Sequence, residues 1–238
     1  MIIVVGNEKG GVAKTATATN LAVRAVEAGI DTLLIDTDSQ GTSRAWCRIR
    51  NETNQLPFIP LKTEIDNFKK ELLHESTKYE LLIVDIGAQN YKALTESAVH
   101  ADLIIVPTGA DQFEVESTIK VMRALRKLDD EHRDGRCPAW VLMNRTPNVR
   151  NSREEAALRE CLIEAGMPVF ETVLRDRSVW RTSRREGRAV HEVCSRTQML
   201  DPKAGAEAES LFDEVMEKLA NSQQAHQPPQ AKAKKKTK

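Results

Sequence analysis

Ten residues near the start of the chain, Gly6-Asn7-Glu8-Lys9-Gly10-Gly11-Val12-Ala13-Lys14-Thr15, have the types and order needed to hold a phosphate chain. The apolar run Ile2–Gly6 leads into a glycine-containing turn, and Lys14-Thr15 opens a stretch of helical period. In such an arrangement the N–H groups of the turn and of the helix N-terminus face the anion, the lysine reaches the β- and γ-phosphates, and the threonine hydroxyl serves Mg²⁺. The ordinary spacing G-x-x-x-x-G-K-[ST] is missed at both glycines, because Glu8 and Ala13 stand there. A side chain at position 13 is harmless only if the backbone there avoids positive φ and very close phosphate approach. Ala16, after Thr15, offers no hydroxyl toward the α-phosphate, so modest nucleotide affinity is expected.

Three carboxylates and an amide follow in order. Leu33-Leu34-Ile35-Asp36-Thr37-Asp38-Ser39-Gln40-Gly41 is an apolar run ending in two aspartates. Leu81-Leu82-Ile83-Val84-Asp85 is a second such run, and a carboxylate at its end can hold the Mg²⁺ shell. Val141-Leu142-Met143-Asn144-Arg145 ends in an amide. Taken singly, Asp36, Asp38 and Asp85 read as ordinary strand-end or turn residues, and Asn144 equally as a turn asparagine. Their position after a phosphate loop turns the reading toward catalysis.

The second lysine, Lys9, five residues before Lys14, completes a K-G-G-x-x-K-T box that resembles the deviant Walker A motif of the ParA/MinD ATPases. The segment at 36–41 resembles their D-x-D-P-Q-G, with Ser39 in place of proline. The resemblance implies an ATP site formed by Gly10, Gly11, Val12, Ala13, Lys14, Thr15, Ala16 and Asn144, with Asn144 at the adenine edge. It implies catalytic roles for Lys9, Lys14 and Asp38, with Lys9 reaching across a homodimer to the partner's nucleotide and Asp38 orienting water. Thr15, Asp36 and Asp85 would serve Mg²⁺.

Elements must carry these residues to one place. Short β-branched runs at Ile2–Gly6, Thr32–Asp36, Leu81–Asp85, Leu103–Pro107 and Ala139–Asn144 alternate with helical periods at Lys14–Ala28, Asp66–Glu75, Asn90–His100, Glu114–Asp130, Ser152–Ala165 and about Gly205–Ala220. Parallel strands need such crossovers, and their continuous apolar character expects helices on both faces. The predicted fold is α/β, a doubly wound and mostly parallel P-loop sheet, in one domain over residues 1–220. The chain opens directly on its first strand, so no operator-binding domain is expected ahead of it.

Charge is distributed unevenly. The chain holds 35 basic and 35 acidic residues, but residues 221–238 carry five lysines and no acid. That tail, rich in Gln, Pro and Ala, cannot bury enough apolar surface to offset ordering and is expected to be disordered. Within the acidic body Arg175, Arg177, Arg181, Arg184, Arg185 and Arg188 face only Asp176 and Glu186 locally. Arginine forks suit phosphates, so a non-specific DNA surface is expected, with pairing to acids such as Glu154 and Glu155, or a protein-binding surface, as the alternatives.

Four scattered cysteines, Cys47, Cys137, Cys161 and Cys194, form no metal or disulfide pattern. No apolar run approaches membrane-spanning length, and the last helix is acidic (Glu207, Glu209, Asp213, Glu214, Glu217) where a membrane-seeking helix is basic. A cytoplasmic, nucleoid-associated protein is expected. The resemblance further implies partition of a plasmid or chromosome region with a partner protein that stimulates hydrolysis. The same engine could position a carboxysome, chemoreceptor cluster, conjugation or division complex, or the protein could coat DNA with little turnover.

Overall fold

The structure, a computed structural model, describes residues 1–63, 67–132, 138–148, 153–193 and 201–225. The lysines of the tail, Cys137 and Cys194 lie outside these residues. The described strands are β1 (Ile2–Val5), β2 (Thr32–Asp36), β3 (Leu61–Lys62), β4 (Leu81–Asp85), β5 (Leu103–Thr108), β6 (Ala139–Thr146) and β7 (Val169–Arg175). They form one sheet in the order β3-β2-β4-β1-β5-β6-β7, with every neighbouring pair parallel. The connections between strands carry α1 (Lys14–Glu27), α2 (Thr42–Glu52), α3 (Phe68–Glu75), α4 (Tyr91–Ala98), α5 (Gln112–His132) and α6 (Arg153–Glu164), and α7 (Ser178–Arg185) and α8 (Pro202–Ala225) follow β7.

Strand period two sorts the core into two layers. Ile2, Val4, Leu82, Val84, Ile104 and Val106 pack with Leu72, Leu94, Met122, Leu125, Leu158 and Leu162, residues of α3 to α6. Ile3, Val5, Leu34, Ile83 and Ile105 pack with Leu21, Trp46, Leu211, Val215 and Leu219, residues of α1, α2 and α8. Each such side chain taken fully out of water contributes roughly 1.5–3 kcal/mol, which is why both faces need helices.

The doubly wound sheet matches the sequence expectation, with α2, β3, β7 and α7 added to the runs read from periodicity. Helix α2 (TSRAWCRIRNE) is easily passed over because it is arginine-rich and few of its residues are apolar, and the two-residue β3 is too short to show a period. Helix α8 runs to Ala225, so residues 221–225, expected in the tail, belong to the helix. The acids of α8 also acquire a structural task. Glu214 accepts from the N–H groups of Glu171 and Thr172 at 2.9 Å each, and Glu207 from that of Arg175 at 3.2 Å. These carboxylates occupy the N–H groups of edge strand β7, which would otherwise invite another strand.

A buried arginine ties α2 to the segment after α7. Arg50, fully buried, donates to both carboxylate oxygens of Glu192 at 2.8 Å, to Gly187 O at 3.0 Å and to Pro57 O at 2.8 Å. Gly187 makes the approach possible: its φ is +63, and an added Cβ would press on the backbone N of Arg50 and lie 2.8 Å from its Cα. Gly187→Ala is therefore expected to destabilise the fold by about 2–4 kcal/mol, measured by urea denaturation.

Candidate nucleotide-binding site

At the carboxyl end of β1 the chain turns through Gly11 at φ +81 and Ala13 at φ +65 before entering α1. Position 13 is thus left-handed, the conformation an alanine tolerates least, at a cost of about 1–2 kcal/mol. Among the described residues, the N–H groups of residues 10–16 donate to no protein acceptor. A row of unpaired N–H groups ending at a helix N-terminus is an anion cradle. Lys14 is buried, and its Nζ donates to Lys9 O at 2.8 Å. Burial pulls its ammonium below the usual lysine range, while the charges of Asp85 and Asp38 act in the opposite direction. Lys9 is exposed, does not line the cleft, and its ammonium meets no acceptor among the described residues.

The loop is anchored by a residue that sequence reasoning passed over. Asn7, 1% exposed, donates to Pro107 O at 2.8 Å and to Thr118 Oγ1 at 2.9 Å, and accepts from the N–H of Lys9 at 3.2 Å. It fastens the turn to the end of β5 and to α5.

The carboxylates meet beside the cradle, because Asp36 and Asp85 are register partners on adjacent strands. Asp85 Oδ2 accepts from Thr15 Oγ1 at 2.8 Å and from Ser43 Oγ at 2.7 Å. Burial pushes its carboxyl up to about 6, against the pull of the Ser43 and Thr15 hydroxyls. Thr15 and Asp85 together present oxygen donors to one point, the chemistry a hard cation such as Mg²⁺ takes. Asp36 is otherwise occupied: its two oxygens accept from the N–H groups of Asp38 (2.9 Å) and Arg44 (3.0 Å). Burial raises its carboxyl as well. It therefore shapes the loop that presents Asp38 to the cleft. That loop sits hard against Gly87, where an added Cβ would come within 2.8 Å of Asp38 Cα.

These residues line a cleft of ≈ 420 Å³ that brings together Gly10, Gly11, Ala13, Lys14, Thr15, Ala16, Asp38 and Asn144. Asn144 Nδ2 donates to Thr17 Oγ1 at 3.3 Å, holding the amide against α1. Val12 turns its side chain into the core and leaves only its backbone to the cradle. Arg145, not singled out from the sequence, lines the same cleft and donates to Gly11 O at 2.6 Å.

The arginine cluster divides. Arg175 pairs with Glu155 at 2.8 Å and Glu207 at 3.6 Å, and Arg177 with Glu207 at 2.6 Å, with only 11% and 12% of their side chains exposed. Their inclusion in an exposed DNA surface is corrected: both charges are neutralised inside the fold. Arg181 pairs with Asp176 at 3.3 Å across an exposed gap, and Arg188 lies 3.9 Å from Glu186. Arg184 and Arg185 are exposed and without an acidic partner among the described residues. With Arg181 they line a groove of ≈ 640 Å³ between α7 and α2, and Arg181 and Arg184 line the nucleotide cleft too.

A parallel α/β sheet with a lysine-bearing anion cradle at the end of β1 and carboxylates on neighbouring strand ends defines a P-loop nucleotide-binding protein. The chain belongs to the CobQ/CobB/MinD/ParA nucleotide binding domain family, which matches residues 3–189. It is 31% identical over 220 residues, 92% of this chain and 93% of the relative, to the maintenance of carboxysome distribution protein A of Gloeobacter kilaueensis. Relatives also include Protein ParA of Rhizobium radiobacter, 20% identical over 92% of this chain and 99% of the relative. Its fold superposes on apo McdA of Cyanthece with a TM-score of 0.70, at 16% identity and covering 92% of this chain and 98% of that one. Among the described residues no helix is long and apolar enough to cross a membrane.

Two outcomes follow from this geometry. Ala13→Gly relieves the left-handed strain and should raise stability by up to about 1 kcal/mol, net of the entropy glycine adds to the unfolded chain, read as a higher urea midpoint. For Asp85 the folded carboxyl holds its proton more tightly than the ordinary 3.8, so its contribution to stability is full at low pH and is lost as pH rises through about 6. Relative to Asp85→Asn, the wild type should lose stability between about pH 4 and pH 6, seen as a falling difference in denaturation midpoint.

Proposed function

We propose that this chain is a dimerising, Mg²⁺-dependent ATPase of the partition type that binds DNA without sequence preference and moves a plasmid or chromosome region with a stimulating partner. The observation that carries this reading is the row of unpaired N–H groups at residues 10–16, with buried Lys14 at its end and Asp38 across the cleft. In this reading the N–H groups and Lys14 bind the phosphates, and Asn144 meets the adenine edge. Asp38 holds the attacking water, and Lys9, exposed and without an acceptor among the described residues, reaches the nucleotide of a second subunit. Thr15 and Asp85 would hold Mg²⁺, which would offset charge developing on the phosphate oxygens. Asp36 organises the loop that carries Asp38. Ala16 supplies only its backbone.

The DNA surface is Arg181, Arg184 and Arg185 on α7, with Arg188 at its end. Arg44 and Arg48, exposed on α2, add basic charge on the helix that forms the groove's other wall. The lysine tail adds charge of the same sign.

The cargo has a second reading. The 31% identical relative is named for carboxysome distribution, so the same engine here could distribute a protein compartment in place of DNA. Either way the protein would work on the nucleoid in the cytoplasm as an ATP-bound homodimer.

The test is one set of variants measured for ATP binding, turnover, dimerisation and DNA binding. Asp38→Ala should bind ATP and lose turnover, while Lys9→Ala should bind ATP but form no ATP-dependent dimer by light scattering. Replacing Arg181, Arg184 and Arg185 should shallow the salt dependence of DNA binding by about one log unit of slope per lost phosphate contact. A wild type without turnover under any stimulation, whose Asp38→Ala form binds DNA identically, would overturn the enzyme reading.

A further inference from the structure

Two residues other than glycine take a left-handed backbone at the nucleotide cleft, Ala13 at φ +65 and Arg145 at φ +54. A side chain in that region costs free energy and persists only where its surroundings hold it there. What holds Arg145 is visible. Its N–H donates to Asn144 Oδ1 at 2.8 Å, and its guanidinium donates to Gly11 O at 2.6 Å, across the mouth of the cleft. The strain turns the chain at the end of β6 so that the guanidinium reaches the phosphate loop.

The carbonyl it reaches is an awkward one. A cradle for phosphate needs N–H groups turned inward and carbonyl oxygens turned away, since an oxygen facing the anion repels it. The loop has two carbonyls held by cations: Lys9 O by Lys14 at 2.8 Å, and Gly11 O by Arg145. In a planar trans peptide the C=O and the following N–H point in opposite directions. Fixing Gly11 O against the guanidinium therefore fixes the Val12 N–H away from it. Gly11 itself, at φ +81, has the freedom to turn either way unless something pins its carbonyl.

We propose that Arg145 is a positioning residue that pins Gly11 O and so sets the orientation of the cradle's Gly11–Val12 peptide before nucleotide arrives. This rests on the reading of the cleft as a nucleotide site and adds a residue outside the Walker-like motifs to it. The pin acts on the loop that receives the phosphates common to ATP and ADP, so its loss should weaken both nucleotides alike.

The experiment is calorimetric titration of ATP and ADP into wild type, Arg145→Gly and Arg145→Lys, with a thermal melt of each. Arg145→Gly relieves the left-handed strain while removing the guanidinium. The expected result is a melting temperature at or above wild type together with about tenfold weaker binding of both nucleotides, the loss of one charge-assisted hydrogen bond. Turnover at saturating ATP should change by less than about twofold, a KM effect without a kcat effect. Arg145→Lys, which keeps the charge and one donor, should recover part of the affinity. Wild-type affinity in Arg145→Gly would overturn the proposal and leave the nucleotide site standing. A loss confined to ATP would overturn it in favour of a direct γ-phosphate contact, and a melting temperature that falls with affinity would reduce Arg145 to a structural role. If wild type itself bound neither nucleotide, the reading of the cleft would fail and the proposal with it.

Discussion

The Asp85 carboxylate, taken wholly out of water at the end of β4, is the group around which the site is assembled. One of its oxygens accepts from Thr15 at the start of α1 and from Ser43 at the start of α2. A buried charge left short of partners costs several kcal/mol, so both helix starts are held where their hydroxyls can reach it. Thr15 brings the cradle with it, and Ser43 brings the Asp36–Asp38 loop. The register that sets Asp36 beside Asp85 concentrates acid there, and burial raises both carboxyls. A divalent cation is the natural relief of that arrangement, since it would replace protons and hydroxyl donors by a stronger charge.

Close approach and strain mark the same region. Gly87 leaves room for Asp38, Ala13 and Arg145 are held left-handed, and Asn7 stakes the loop to the neighbouring strand and helix. Much of the sheet away from these strand ends is apolar side chains alternating between two layers, with no comparable demand on the backbone. Two of the three left-handed residues other than glycine among the described residues line this cleft, the pattern expected when local stability is given up for a preformed site.

The C-terminal third separates charges by what lies behind them. Arg175 and Arg177 leave β7 under α8, where Glu155 and Glu207 neutralise them between the two, and Glu207 and Glu214 close the edge of the sheet. One helix further on, Arg181 meets only the exposed Asp176, Arg184 and Arg185 meet no acid among the described residues, and all three line a groove shared with α2. Because Arg50 binds α2 to Gly187 and Glu192, the helix after the Asp36–Asp38 loop and the arginine segment form one mechanical unit.

Read alone, the sequence determined the parallel α/β plan, because β-branched runs and helical periods are local and alternate along the chain. It also determined the cradle, since the glycine turn, Lys14 and Thr15 are contiguous, and it marked Asp36, Asp38, Asp85 and Asn144 as strand-end groups. What each of these carboxylates accepts from was not legible there: Asp36 takes two backbone N–H groups, whereas Asp85 takes the hydroxyls of Thr15 and Ser43. Helix α2 carried too few apolar residues to stand out, and Arg145 looked like any exposed arginine, because its role rests on a bond to a residue 134 positions away. The six arginines stood together in sequence. Only the packing of α8 against β7 decided which of them keep a free charge, since neutralisation depends on the acid each one meets in space.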